Sequence, residues 1–331
     1  MAVTLKDVAE LAGVSRSAVS RTFTEGASVS SKTRAKVMTA AQKLGYSPNA
    51  LASSLTTGRT KMIGLVSNNF HNPIFLEVFD LFTRGLHERA LRPLLVNLTD
   101  ETDPEASVRM LRQYSVDGVI VASSTLPHDF ARAFRDAGVP VVHSFGRQTA
   151  APAVDVLGID NIAAGKLAAR TLIERGYTEI GFLGGPADAT STVDRETGFL
   201  SEVAQHNSVA ATTSFATAYS FEAGRAEMTR LLASKPAQAY FCGDDVLSIG
   251  AMSALQSAGL KVPGDVGIIG LNDMEMAGWE NINLTTIHNP ISEIIAASIA
   301  RVAELVAEPT LEPQARLFDG SVVERGTLRA L

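Results

Sequence analysis

Three side chains near the N-terminus have the chemistry needed to read the edges of base pairs. Arg16, Ser17 and Arg21 stand close together at the start of a predicted helix that follows a glycine turn. Arginine can donate two hydrogen bonds to guanine, and a serine hydroxyl can donate or accept. In a helix-turn-helix, the first residues of the second helix reach base edges in the major groove. These residues therefore predict contacts with double-stranded DNA.

Six further polar residues in the same region lie at predicted helix starts. There, hydroxyls and backbone N–H groups can meet phosphate oxygens. For the serines, capping of the helix is an equally good interpretation. The set comprises Thr4, Ser15, Ser30, Ser31, Lys32 and Thr33.

The charge of the chain is divided unevenly along its length. Residues 1–61 contain nine Lys or Arg against three Asp or Glu, a charge of +6, so the net charge of −6 leaves −12 for the rest. A basic end on an acidic protein is typical of a polyanion-binding segment. A solvated basic face would give the same count.

The elements that must position these side chains are three short helices. Thr4 can cap an amphipathic helix that ends at Gly13, Ser15 can cap a second, and a third runs from near Ser31 to Gly45. Small and polar residues follow. We therefore predict a DNA-binding domain over residues 1–47 and a hinge helix and linker over 48–61.

From Met62 onward, short β-rich runs alternate with helical patterns. This alternation predicts parallel sheets with crossover helices, in two doubly wound halves whose ligands sit at the carboxyl ends of the strands. No apolar run is long enough to span a membrane, and Met1–Glu10 is charged where a signal peptide would be apolar. We therefore expect a cytoplasmic protein with no membrane partner.

Motifs of enzymes and metal sites are missing from the sequence. Gly158–Lys166 partly resembles a phosphate-binding loop, but the spacing of its glycines is wrong, and Leu167 stands where Ser or Thr would bind magnesium. Neither G-x-S-x-G nor H-E-x-x-H occurs, and the single cysteine, Cys242, has no zinc-type spacing around it. We expect no enzyme activity, no cofactor and no metal.

Several motifs, in order along the whole chain, resemble the lactose-repressor (LacI/GalR) family of bacterial transcription regulators. They are Thr4–Ser15 with Ala18–Arg21, Leu44–Asn49, Asp160–Asn161, Phe241–Asp245, Gly270–Asp273 and Leu284–Ile287. The resemblance implies a small all-α helix-turn-helix domain. An α/β effector-binding and dimerisation domain over 62–331 follows, with two doubly wound parallel-sheet subdomains like those of periplasmic sugar-binding proteins. The first subdomain would comprise about 62–158 and 288–318, the second about 159–287 and 319–331.

The resemblance also assigns roles at the hinge. The segment from Asn49 to Leu55 would fold into a helix on the operator, and Leu55 would wedge between base pairs in the minor groove. The chain departs from the common family pattern at Ala18, Thr24 and Ser53, where threonine, asparagine and arginine are more usual.

In the larger domain, the resemblance places a small effector between the two halves. Arg195, Asp244 and Asn272 would bracket the hydroxyls of a sugar, since they supply donors and acceptors in fixed positions. Asp245 and Asp160 are interpreted as helix caps. Phe145, Tyr219 and Ile291 match wall positions of the family's cleft. Asn69, Phe70 and Phe75 lie in the loop and helix start after the first predicted strand and are further candidates. Core packing accounts for the aromatic residues almost as well.

Together these features predict a homodimeric repressor of a pseudo-palindromic operator, switched by a small molecule. A sugar or sugar derivative is favoured over a purine. A periplasmic-type binding protein would need a signal peptide and no basic N-terminal module, and an α/β enzyme would need one of the missing motifs.

Overall fold

A computed structural model describes residues 3–24, 26–48, 54, 58–68, 70–98 and 103–331. The chain forms two compact units, Met1–Lys61 and Met62–Leu331. In the described residues, no helix is both long and apolar enough to cross a membrane.

The N-terminal unit contains three described helices, α1 (Leu5–Ala12), α2 (Arg16–Phe23) and α3 (Ser31–Leu44). Each begins with a hydroxyl cap, and the backbone at Gly13 and Gly45, which end α1 and α3, is left-handed. Glycine adopts this conformation without steric cost. Apolar residues from all three helices form one small core.

The larger unit has two lobes, each built on a six-stranded sheet. Lobe 1 has the strand order β11-β5-β4-β3-β1-β2, with every pair parallel. Its strands are β1 (Met62–Ser67), β2 (Arg92–Asn97), β3 (Gly118–Ala122), β4 (Val141–Ser144), β5 (Asp155–Ile159) and β11 (Ala315–Phe318). Its helices are α4 (Ile74–Glu88), α5 (Pro104–Gln113), α6 (His128–Asp136) and α11 (Ile291–Ala307).

Lobe 2 has the strand order β12-β10-β9-β8-β6-β7, in which only β12 runs antiparallel. Its strands are β6 (Glu179–Gly184), β7 (Ala210–Phe215), β8 (Ala239–Cys242), β9 (Gly267–Asn272), β10 (Thr286–His288) and β12 (Ser321–Val323). Its helices are α7 (Asn161–Glu174), α8 (Thr190–Val203), α9 (Phe221–Leu231) and α10 (Asp245–Ser257), with a 3-10 turn at Glu275–Gly278.

Helices cover both faces of each sheet, so each lobe has two apolar cores. Along β1, for example, Ile63 and Leu65 pack under α4 and α11, whereas Val66 packs with α5 and α6. The chain passes between the lobes three times, after β5, after β10 and after β11. This architecture confirms the predicted fold class of two doubly wound, largely parallel sheets.

Candidate functional site

A cavity lies between the two lobes, at the carboxyl ends of their strands. Seven residues expected at an effector site line it: Phe75, Phe145, Arg195, Tyr219, Asp244, Asn272 and Ile291. Seven others that the sequence had not indicated join them: Asn72, Ile74, Val78, Ser124, Ile159, Asn161 and Asn289. Clefts that combine apolar walls with a few convergent polar groups suit small organic ligands.

Arg195 projects from α8 and is held by two hydrogen bonds to other parts of lobe 2. Its Nε donates to Asn161 Oδ1 at 2.8 Å, and its Nη1 donates to the carbonyl oxygen of Gly243 at 2.5 Å. Only 5% of the residue is exposed. The cation therefore stands at the cavity wall with its orientation already set.

Close packing of α7 against α8 explains where Arg195 lies. A Cβ at Gly165 of α7 would come within 2.1 Å of the Arg195 carbonyl oxygen. A Cβ at Gly198 of α8 would come within 2.0 Å of the Ile162 carbonyl oxygen. Glycine at both positions lets the two backbones touch, which brings Asn161 and Arg195 side by side.

Asp244 is the carboxylate of the site and caps α10. Its Oδ1 accepts from the Val246 N–H at 2.9 Å, and its Oδ2 accepts from Asn72 Nδ2 and Asn272 Nδ2, both at 2.9 Å. Burial raises its pKa to about 6, although these hydrogen bonds and the charge of Arg195 oppose the rise. The side chain therefore becomes a neutral acid at a higher pH than an ordinary aspartate does.

A chain of amides continues from Asp244 along the cavity wall. Asn272 ends β9 with a φ of 124°, in a region that few side chains other than glycine adopt. Its Oδ1 accepts from Asn289 Nδ2 at 3.1 Å. Asn289 Oδ1 is buried and has no hydrogen-bond partner among the described residues. The wall therefore offers a ligand one further acceptor.

Aromatic and aliphatic side chains form the remaining walls. Phe75 and Ile291 come from lobe 1 and are buried, and Phe145 follows β4 with a φ of 66°. Tyr219 of lobe 2 shares hydrogen bonds with the hydroxyls of Thr192 at 2.7 Å and Ser191 at 3.1 Å. The cavity thus combines polar groups, mostly from lobe 2, with apolar faces, mostly from lobe 1.

Some expected positions lie elsewhere. Asn69 is outside the described residues, and Phe70 does not line the cavity but stacks on Phe79 with ring centroids 4.7 Å apart. Asp160 caps α7, accepting from Ala163 N at 2.8 Å. Asp245 does not cap α10, because Asp244 does so.

Asp245 instead joins α10 to two other segments of lobe 2. The buried carboxylate accepts from Thr286 Oγ1 at 2.5 Å and from the Met274 N–H at 2.8 Å, and burial raises its pKa to about 7. It supports the strand that ends in Asn272.

The second candidate site is the exposed face of α2 in the N-terminal unit. Arg16, Ser17 and Arg21 are all exposed there, and Arg34 of α3 fixes the helix by donating to the Thr22 carbonyl oxygen at 2.9 Å. Lysines and arginines elsewhere in the unit are also at the surface. This face can meet a large anionic ligand without rearrangement.

The hydroxyl residues at the helix starts act as caps. Thr4, Ser15 and Ser30 accept from the backbone N–H groups of Asp7, Ala18 and Thr33 respectively. All three are exposed, as are Ser31 and Lys32, whereas Thr33 is half-buried. Asn49 and Leu55, expected in the hinge, lie outside the described residues.

Comparisons with known proteins find relatives of both units of the chain. The sequence pattern of "Bacterial regulatory proteins, lacI family" matches residues 4–49, and that of "Periplasmic binding protein-like domain" matches 169–328. The HTH-type transcriptional repressor PurR of Yersinia enterocolitica is 32% identical over 328 residues, which cover 97% of this chain and 96% of the relative. That of Proteus mirabilis is 31% identical with the same coverage.

Solved structures of transcription regulators are similar to this chain along its length. The lac repressor dimer bound to operator and the anti-inducer ONPF superposes with a TM-score of 0.89 at 25% identity, covering all of both chains. The complex of transcriptional regulator CelR with cellobiose gives a TM-score of 0.74 at 27% identity, covering 98% of this chain and 100% of the other. The chain belongs to the lacI family of bacterial regulatory proteins and is a DNA-binding transcription regulator under small-molecule control, not an enzyme.

Proposed function

We propose that this regulator is a repressor whose affinity for its operator is set by a sugar or sugar derivative bound between the two lobes. The observation that carries the proposal is the cavity itself. Arg195, Asp244 and Asn272 converge there beside aromatic walls. A cation, a carboxylate and an amide supply the donors and acceptors that vicinal hydroxyls need, and apolar faces of a sugar ring pack on aromatic side chains.

The related structures support this class of effector. The CelR structure contains cellobiose, and the lac repressor structure contains operator DNA together with ONPF. A purine is the second candidate, because the aromatic residues Phe75, Phe145 and Tyr219 could also enclose a planar ring. Direct binding measurements separate the two classes.

On the DNA side, we propose that α2 enters the major groove with Arg16, Ser17 and Arg21 on base edges. Thr4, Ser15, Ser30, Ser31, Lys32 and Thr33 would contact phosphates while capping or opening their helices. Residues 1–47 would form the DNA-binding domain, and 48–61 the hinge that places Asn49 and Leu55 on the operator. Such a regulator acts on the chromosome, which places it in the cytoplasm.

We further propose that two copies bind a pseudo-palindromic operator, since twofold symmetry of the protein matches paired half-sites. One groove on the larger unit is the surface that we assign to a second copy. Leu76 of lobe 1 is 77% exposed and Trp279 of lobe 2 is 51% exposed, and both line this groove with the half-buried Met276. Four carboxylates, those of Glu77, Asp80, Asp273 and Glu275, line it as well. Large exposed apolar residues gathered in this way favour a protein interface.

A thermal-shift screen of sugars and purines tests the proposal. A ligand at a hundred times its dissociation constant stabilises the folded state by about 2.7 kcal/mol. The shift should be lost in Arg195→Ala and kept in Arg230→Ala, whose arginine is exposed and paired with Glu227 away from the cavity. If every active compound shifts the melting temperature of both variants equally, the compounds do not bind in this cavity.

The same variants reveal the direction of regulation in cells. If the effector is an inducer, Arg195→Ala represses permanently, and if it is a corepressor, the variant never represses. A reporter gene behind the operator distinguishes these two outcomes.

A further inference from the structure

Three polar side-chain contacts join lobe 1 to lobe 2 around the cavity in the described part of the chain. Asn72 Nδ2 donates to Asp244 Oδ2 at 2.9 Å. Thr190 Oγ1 donates to the Ser124 carbonyl oxygen at 3.2 Å. Arg147 pairs with Asp194 at 2.6 Å.

The three contacts differ in how far water can compete with them. The Arg147 side chain is 43% exposed, so its ion pair is weakened by solvent and salt. Asn72 and Asp244 are only 2% and 4% exposed. A hydrogen bond to a charged group in a buried site is among the stronger ones, and losing its donor leaves the carboxylate poorly solvated.

The Asn72 amide is also fixed in the orientation that this contact needs. Its Oδ1 accepts from the Ile74 N–H at 3.2 Å, at the start of α4. The nitrogen therefore points across the cavity toward lobe 2, where Asp244 Oδ2 already accepts from Asn272.

We infer that the Asn72–Asp244 hydrogen bond favours the closed arrangement of the two lobes over the cavity. Asn72 is thus a positioning residue that sets how often the cavity opens for a ligand to enter or leave. As a statement about regulation of the effector site, the inference rests on the proposed function. The closure itself can be measured without effector or DNA.

The experiment measures the distance between the lobes in the full-length protein without effector. Cys242 is fully buried and burial raises the pKa of its thiol to about 12, so it will not react with labels. Arg112→Cys on α5 and Glu222→Cys on α9 place one exposed label on each lobe. Single-molecule energy transfer then gives the populations of closed and open molecules.

The parent should give one closed population, and Asn72→Ala should raise the open-to-closed ratio by about tenfold or more. Asn72→Leu, which keeps most of the volume without the donor, should behave in the same way. Asn68→Ala is the matched control, because the Asn68 amide bonds Thr125 and Ser123 within lobe 1. Its distance distribution should equal that of the parent.

Two results would overturn the inference. One is a parent protein that is open without effector, and the other is an unchanged distribution in an Asn72 variant whose circular dichroism shows the parent fold. If Asn72→Ala does not fold, Asn72→Leu supplies the comparison. A failure of every sugar and purine to alter operator affinity would refute the proposed function but would leave this distance measurement unaffected.

Discussion

Arginines stand at both candidate sites, in opposite surroundings. Arg16 and Arg21 are exposed on α2, whereas Arg195 is 5% exposed and bonded to Asn161 and to the Gly243 carbonyl. A DNA duplex is large and charged, so it meets a protein at the surface, where its phosphates release counterions as they are neutralised. A small effector must instead be surrounded.

This difference in exposure predicts how the affinity of each site depends on salt. Surface arginines are hydrated and compete with salt for an anionic partner, whereas the cavity arginine is held by hydrogen bonds to Asn161 and Gly243 and is shielded from ions. Operator affinity should therefore depend steeply on ionic strength, and effector affinity should depend on it weakly. Variants that act on one site should spare the other.

The largest effect is expected at Arg195. Removing a guanidinium from a buried polar site costs about 2–5 kcal/mol of binding, which is roughly thirtyfold or more in affinity. Titration calorimetry of Arg195→Ala with the effector should show this loss, while operator binding without effector stays at the parent's value. An effector affinity within threefold of the parent would show that Arg195 makes no important contact.

The next effect is expected on α2. Arg16→Ala and Arg21→Ala should each weaken binding to a selected operator by about 1–3 kcal/mol, because a bidentate contact with a base is lost. Binding to random duplex should weaken far less, since that binding rests on phosphate contacts. Equal losses on operator and random DNA, measured by gel shift at two salt concentrations, would mean that these arginines do not read sequence.

A smaller effect should reach the cavity through the backbone. Gly165→Ala forces a methyl group onto the Arg195 carbonyl oxygen, which must move α7 away from α8 at a cost of about 1–3 kcal/mol of stability. Denaturant unfolding measures that loss, and effector affinity should fall with it. Gly264→Ala is the control, because its Cβ would make only an ordinary contact at 3.5 Å. Parent-like effector binding in Gly165→Ala would separate helix packing from the site.

The smallest effect should come from pH. Asp244, whose pKa burial raises to about 6, accepts hydrogen bonds from ligand hydroxyls best as a carboxylate. Below pH 6 each pH unit leaves about tenfold less carboxylate, so effector affinity should fall by up to that factor per unit and level off above pH 7. Asp244→Asn should flatten the profile, whereas Asp160→Asn, which alters a helix cap, should keep it. A flat profile in the parent would show that the ionised form is not required.

Local signals made the N-terminal helices predictable. Thr4, Gly13 and Ser15 act through contacts within a few residues, so their capping and turn roles follow from the sequence. The alternation after Met62 likewise predicted parallel sheets. Arg195, Asp244 and Asn272 came from the family resemblance, and the structure places them on one cavity.

Other parts depended on contacts between distant residues. Asn72 bonds Asp244 across 172 positions of sequence, and nothing near Asn72 marks it as a cavity residue. The β-rich runs that the sequence predicts do not include β7, because its Thr-rich run lies at a sheet edge with most side chains outside the core. The helical pattern in the sequence predicts a helix over Glu196–Gln205, but α8 begins at Thr190. Its first turns bury polar residues such as Ser191 and Thr192, which do not give an apolar helical pattern.

We expect the effector site and the DNA-binding site to be coupled, and the effect of one ligand on the affinity for the other measures that coupling. A ligand alters operator affinity only as far as it binds two conformations unequally, and the operator must then alter ligand affinity by the same factor. Operator titrations with parent and Arg195→Ala protein, each with and without the effector found by thermal shift, measure this factor. If the sites are coupled, the effector changes the operator affinity of the parent and leaves that of the variant unchanged at the same effector concentration. A variant that responds at the parent's effector concentration would contradict it.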